Sequence, residues 1–112
     1  MFENDQDIYP IREGIKSLCE KFPNKYWREK DSSRSYPEEF VKALSDHGYL
    51  GSLIPEKYGG SGQKLRTAAV ILQEIHRYGG NGAACHAQMY IMGTLLRHGS
   101  EEQKKKYLPG IA

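Results

Sequence analysis

Cysteine is scarce, long hydrophobic runs are missing, and neither sign of charge dominates. The 112 residues contain two cysteines, Cys19 and Cys85, far apart and in no C-x-x-C pair. No disulfide framework is therefore expected, and the usage suits a reducing cytoplasm. Sixteen basic and 14 acidic side chains leave a net charge of +2, too even a balance to attract nucleic acid. The densest basic run, Lys104 to Lys106, follows Glu101 and Glu102 and reads as a solvated helix end. From Tyr78 to Leu96 no fixed charge occurs, but glycines at 79, 80 and 82 open the stretch, and His86, Gln88, Gly93 and Thr94 interrupt it. The run falls short of the roughly 18 apolar residues of a membrane span. The opening residues carry acids and no apolar segment, which argues against a signal peptide.

A chain of this length suits one domain, and one this size can bury a modest core. Mean hydropathy is −0.69, yet the apolar residues cluster, as folded chains require. Ile8, Ile11, Ile15, Leu18 and Phe22 fall at spacings of three and four, one stripe of a helix that Asp5 or Asp7 could cap. Pro10 is tolerable in its first turn, and Pro23 stops it. A polar stretch with Tyr26 and Trp27 follows. Ser35 and Glu38 have capping-box spacing, with Pro37 between them, ahead of an apolar face of Phe40, Val41 and Leu44. Gly48 is placed to end that helix.

Residues 48–62 form a glycine-rich loop pinned by Tyr49, Leu50, Leu53, Ile54 and Tyr58. A third helix runs from about Leu65 to Tyr78, with Leu65, Ala68, Ala69, Leu72 and Ile75 inward, and Gly79-Gly80 ends it. A fourth, about Ala83 to Arg97, is apolar nearly all round, the pattern of a helix buried on most sides. Ser100 to Gln103 opens a short last helix with capping-box spacing, its lysines toward the carboxyl end, and Leu108-Pro109-Gly110 closes it. No period-two alternation appears. The expected fold is all-α, a bundle of four main helices plus a short terminal helix, over residues 1–112.

Local chemistry is thin. Gly80-Asn81-Gly82 ahead of a helix lacks the strand and third glycine of a dinucleotide loop, and Gly59-Gly60-Ser61-Gly62 lacks the ending of a Walker loop. The histidines at 47, 76, 86 and 98 have no zinc spacing, so no metal site is expected. Glu74, the acid within the third helix, reads as solvated or paired with Arg77. No serine or cysteine sits in a nucleophile elbow.

The specific signal is the order of three patterns. Phe40-x-x-x-Leu44-x-x-x-Gly48 runs into Gly51-x-x-Ile54-Pro55-Glu56-Lys57-Tyr58-Gly59-Gly60-Ser61-Gly62. A helix then ends in Gln73-Glu74-Ile75-x-Arg77. Last comes Gly99-Ser100-Glu101-Glu102-Gln103-Lys104-x-Lys106-Tyr107-Leu108-Pro109-x-Ile111-Ala112. Across essentially the whole chain this resembles the amino-terminal helical domain of the acyl-CoA dehydrogenase family.

The resemblance implies a three-part flavoenzyme. This domain precedes a β-domain and a second helical bundle, which together hold most of the FAD. A glutamate takes the α-proton of an acyl-CoA thioester, the β-hydride passes to the flavin, and electrons leave through an electron-transfer flavoprotein. That glutamate belongs to the carboxyl-terminal bundle or nearby, so no residue here is assigned a catalytic role, and no cofactor contact is assigned. The β-domain and carboxyl-terminal domain are expected to be absent from this chain, as a truncation, a proteolytic product or a separately encoded domain. The isolated domain is expected to be inactive, and the family's oxidases and hydroxylases leave the final reaction open. Its remaining contribution would be one wall of the acyl pocket. Gln88, Met89, Met92 and Gly93 on the uncharged fourth helix are the candidate substrate-binding residues, because an alkyl chain needs an apolar, adaptable lining. Uncovered apolar faces would favour a homo-oligomer. The alternative reading is a stand-alone helical interaction module that reuses the fold.

Overall fold

Six helices account for the chain in the computed structural model, which describes residues 5–112. They are α1 (Asp5–Glu20), α2 (Asn24–Ser33), α3 (Glu38–Asp46), α4 (Leu65–Arg77), α5 (Ala83–His98) and α6 (Glu101–Ile111), with no strand among the described residues. The slab measures 43 × 35 × 20 Å. Its thickness is about two helix diameters, so most helices keep a face in water.

The all-helical bundle is as expected, with α2 in addition, where the sequence reads as a polar stretch. No residue of α2 is fully buried. The helix is held instead through Tyr26 and Trp27, which join an edge-to-face cluster with Phe22 and Phe40 at centroid separations of 4.8 to 5.3 Å. The Trp27 indole N–H donates to the Phe22 carbonyl at 3.0 Å, which fixes the Pro23 corner between α1 and α2.

Several expected helix ends differ. Asp7 lies inside α1, and the position ahead of Asp5 is outside the described residues. Pro10 sits beyond the first turn, so one intrahelical hydrogen bond is missing there. The Ser35–Glu38 capping box does not form: Pro37 takes the cap position, and the Ser35 hydroxyl lies 2.6 Å from that of Ser33. Pro109 does not close α6, which continues to Ile111 and leaves the three lysines in mid-helix. The Ser100–Gln103 box does form, with reciprocal hydrogen bonds of 2.9 and 3.2 Å. Gly48 ends α3 in the left-handed conformation, at φ 79°.

The loop after α3 is pinned as expected. Leu50 and Tyr58 enter the core from two 3-10 turns, Tyr49–Gly51 and Glu56–Tyr58, and Ile54 from the bend between them. Its second half folds back on the first: Gly62 N–H donates to the Ile54 carbonyl at 2.8 Å, and Gln63 N–H to that of Ser52 at 2.7 Å. A side chain at Gly60 would start 2.1 Å from the Ile54 carbonyl oxygen. The glycine is thus required by a close approach of backbone to backbone.

Candidate functional site

α4 carries apolar residues around more than half its circumference, and the fold divides them into two faces. Thr67, Ala68, Ile71, Glu74 and Ile75 are buried, and this face packs along α1. Leu65, Ala69 and Leu72 point the other way. Leu65 is 75% exposed, which corrects its expected inward place, and Ala69 is exposed as well. α5 divides in the same manner. Cys85, Met89 and Met92 are buried, whereas Tyr90 and Ile91 face solvent. Burial on most sides of α5 is therefore not what the fold provides.

Between the outer stripes lies a groove of about 520 Å³. Leu65, Ala69 and Leu72 form its α4 wall; Met89, Tyr90 and Gly93 form its α5 wall. His86 stands at one end, edge-on to the Tyr90 ring at 5.5 Å, and Arg97 and His98 stand at the other. A side chain built on Gly93 would meet nothing within 4 Å, so its absence is open space in the groove.

The four candidate substrate residues separate. Met89 and Gly93 line the groove. Met92 is fully buried in the core beneath it. Gln88 turns toward α6, donating its side-chain amide to the Ile111 carbonyl at 3.1 Å, and so ties the two helices together. Reading the sequence alone missed the contribution of Leu72, Ala69, Tyr90 and His86. Their signal was an apolar stripe at helical spacing left over on each helix once the core stripe was satisfied.

Three buried groups sit away from the groove. Glu74 is not solvated: its side chain is 1% exposed and lies 2.5 Å from the Arg12 guanidinium of α1. Arg77, the expected partner, is farther, at 3.7 Å. Cys19 and Cys85 are both free and buried. Burial pushes the Cys19 thiol up to about 11, with the Glu74 charge adding to it, and burial alone pushes Cys85 up to about 11. The neutral thiols belong to the fold and the thiolates to the unfolded chain, so stability from this source is full below about pH 9 and is lost as pH rises through about 11. Tyr49, raised by burial, acts in the same direction. The urea midpoint is expected to fall steadily across that window, and native thiols should resist alkylation at about pH 8 until the chain unfolds. A flat midpoint with rapid native alkylation would contradict the burial.

One family model, described as acyl-CoA dehydrogenase, N-terminal domain, agrees with the sequence. It matches residues 6–112. The chain belongs to this family. Among its relatives, the Mycobacterium tuberculosis protein named "Probable acyl-CoA dehydrogenase FadE25" is 32% identical over 114 residues, covering 100% of this chain and 29% of that protein. Glutaryl-CoA dehydrogenase of Desulfococcus multivorans is 29% identical over 117 residues, covering 99% of this chain and 30% of that protein. No solved structure matches the chain. The domain thus spans less than a third of the length of these acyl-CoA dehydrogenase relatives. The two strings that carry the family resemblance have structural jobs in it. Residues 54–62 make the folded-back loop, and 99–109 make the capped start and body of α6, where the Tyr58 hydroxyl donates to Glu101 at 3.1 Å and joins the two. No helix of the described residues is long and apolar enough to cross a membrane.

Proposed function

We propose that this domain supplies one wall of the acyl pocket in an FAD-dependent enzyme that removes the α and β hydrogens of an acyl-CoA thioester. The observation that carries the reading is the α4–α5 groove, largely apolar between His86 and Arg97, in a domain of this family. Met89 and Gly93 contact the acyl chain from α5, with Tyr90 beside them and Leu72 opposite. Met92 supports this wall from below, and Gln88 holds α5 in register with α6. Methionine adapts to alkyl chains, and the bare Gly93 leaves room for one.

FAD is the cofactor the family implies, and the residues of this chain do not form a site for it. The glycine-rich turns at 59–62 and 79–82 each follow a helical segment, not a strand, and Gly82 is packed against His76. The cofactor and the catalytic base are accordingly assigned to the remainder of the parent enzyme, with an electron-transfer flavoprotein as electron acceptor and the cytoplasm as compartment. Leu65, Tyr90 and Ile91, exposed at 75%, 57% and 44%, form apolar surface that favours a homo-oligomer of the isolated chain.

The purified chain is expected to be colourless and to reduce no dye with any acyl-CoA. Yellow protein with stoichiometric FAD and turnover would overturn this division of labour. Filling the groove tests its role directly. Gly93→Leu should keep the fold, gaining roughly 0.5–1 kcal/mol because glycine is a poor helix former. The amide shifts that hexanoyl-CoA induces at Ala69, Leu72 and residue 93 should disappear. Unchanged shifts in the variant would remove the groove from the acyl pocket.

A further inference from the structure

A second cavity lies away from the groove and shares no residue with it. It holds about 230 Å³, and its lining includes Trp27, Lys30 and Asp31 of α2, Arg34 and Pro37 of the turn into α3, and Asn81 of the turn into α5. Sites for drug-sized ligands run to roughly 300–1,000 Å³, so an occupant here has to be small. Arg34 follows α2 in the left-handed conformation, at φ 52°, the one non-glycine residue at positive φ among the described residues. Glycines fill the other such positions. A long side chain is therefore kept at a turn where glycine would be less strained.

Most of the polar groups around this cavity are already engaged. The Lys30 ammonium is held by Glu39 at 2.9 Å. The Trp27 N–H is taken by the Phe22 carbonyl, so the indole has only its carbon surface to offer. The Asn81 Oδ1 accepts from the Ala83 N–H at 2.9 Å, which leaves its side-chain NH₂ as a donor. Asp31 and Arg34 line the same cavity and yet form no ion pair, with each other or with another described residue. An unmatched carboxylate and an unmatched guanidinium beside an indole and a proline ring suit a small zwitterion with an apolar body.

We propose that this cavity binds a free α-amino acid with an apolar side chain. The Arg34 fork and the Asn81 amide take its carboxylate, Asp31 takes its ammonium, and Trp27 and Pro37 take its side chain. A simple organic anion would leave Asp31 opposing it, and a peptide terminus brings only one of the two charges.

The test titrates the 112-residue chain with L-phenylalanine, with 3-phenylpropionate, which lacks the ammonium, and with phenethylamine, which lacks the carboxylate. Binding is read from the emission of Trp27, the chain's single tryptophan, and from backbone amide shifts at residues 27–35 and 81. L-phenylalanine is expected to bind at least about tenfold more tightly than either analogue, as one charge-assisted hydrogen-bond pair allows. The preference should shrink with added salt. Asp31→Asn should bring L-phenylalanine down to the level of 3-phenylpropionate, whose own binding does not weaken. Arg34→Gly should lose L-phenylalanine while its urea midpoint rises, because glycine relieves the turn. A lower midpoint in Arg34→Gly would assign the arginine to the fold and overturn its place in the site. Equal binding of L-phenylalanine and 3-phenylpropionate reduces the cavity to an anion site and overturns the proposal, as does the absence of any shift at millimolar ligand.

Discussion

Phe40→Ala is expected to lower the stability of the domain by about 3–5 kcal/mol. Phe40 is fully buried, and its ring meets Trp27 at 4.8 Å and Phe22 at 5.3 Å, both edge-on. Each such pair adds about 0.5–1.5 kcal/mol to what burial alone provides. The ring is also the apolar contact through which α2, which buries no residue completely, packs on α3 and the end of α1, beside the polar links of Tyr26 and Lys30 to Glu39. Domains of this size are stable by only about 5–15 kcal/mol, so the variant should be close to unfolding at room temperature. Urea denaturation would show a lower midpoint with an unchanged slope. Trp27, the chain's single tryptophan, would report the exposure of α2 by a red-shifted emission. A cost below about 1 kcal/mol would mean that the neighbouring rings close over the cavity, and that α2 is held by something other than the cluster.

Arg12→Met should cost about 3 kcal/mol, because it leaves the Glu74 carboxylate buried with Arg77, 3.7 Å away, as its remaining cation among the described residues. The guanidinium also donates to the Gln73 side chain at 2.8 Å, so two contacts between α1 and α4 are lost together. The penalty belongs to the stranded charge more than to the missing bond. The double variant Arg12→Met/Glu74→Met should therefore recover most of it, since an apolar pair of similar volume fills the same space between the helices. Thermal or urea unfolding of the two variants side by side checks both halves. If the double variant is as unstable as the single one, packing around the arginine stem is what matters, and the buried charge is not the cause.

These two sites also show how far the residues could be read without coordinates. Phe40 was legible as core because it heads an amphipathic segment with Val41 and Leu44. Its partners were not, since Tyr26 and Trp27 sit in a run too polar to display a helical stripe, and α2 forms because the aromatic cluster rewards it. Glu74 was legible as the acid within α4, but not as buried. The apolar residues of α4 cover so wide an arc that two different stripes satisfy the helical period, and the choice between them depends on packing against α1, whose Arg12 lies 62 positions from Glu74 in sequence. The same ambiguity explains the groove. Met89 and Gly93 could be named from composition, whereas the opposing wall of Leu65, Ala69 and Leu72 required knowing which face of α4 had already been used.

Helix class, most helix boundaries and the family were determined by the sequence itself. Pro23, Gly48, Gly79 and the Ser100–Gln103 box act through dihedral restriction and hydrogen bonds that close within a few residues, so their effect is written locally. Only the tertiary structure decided which faces of α4 and α5 are inside, and that Gln88 and Met92 serve the scaffold while Met89 and Gly93 line the groove. A helix with apolar residues on several sides has no inside of its own, and what it meets across the fold confers one.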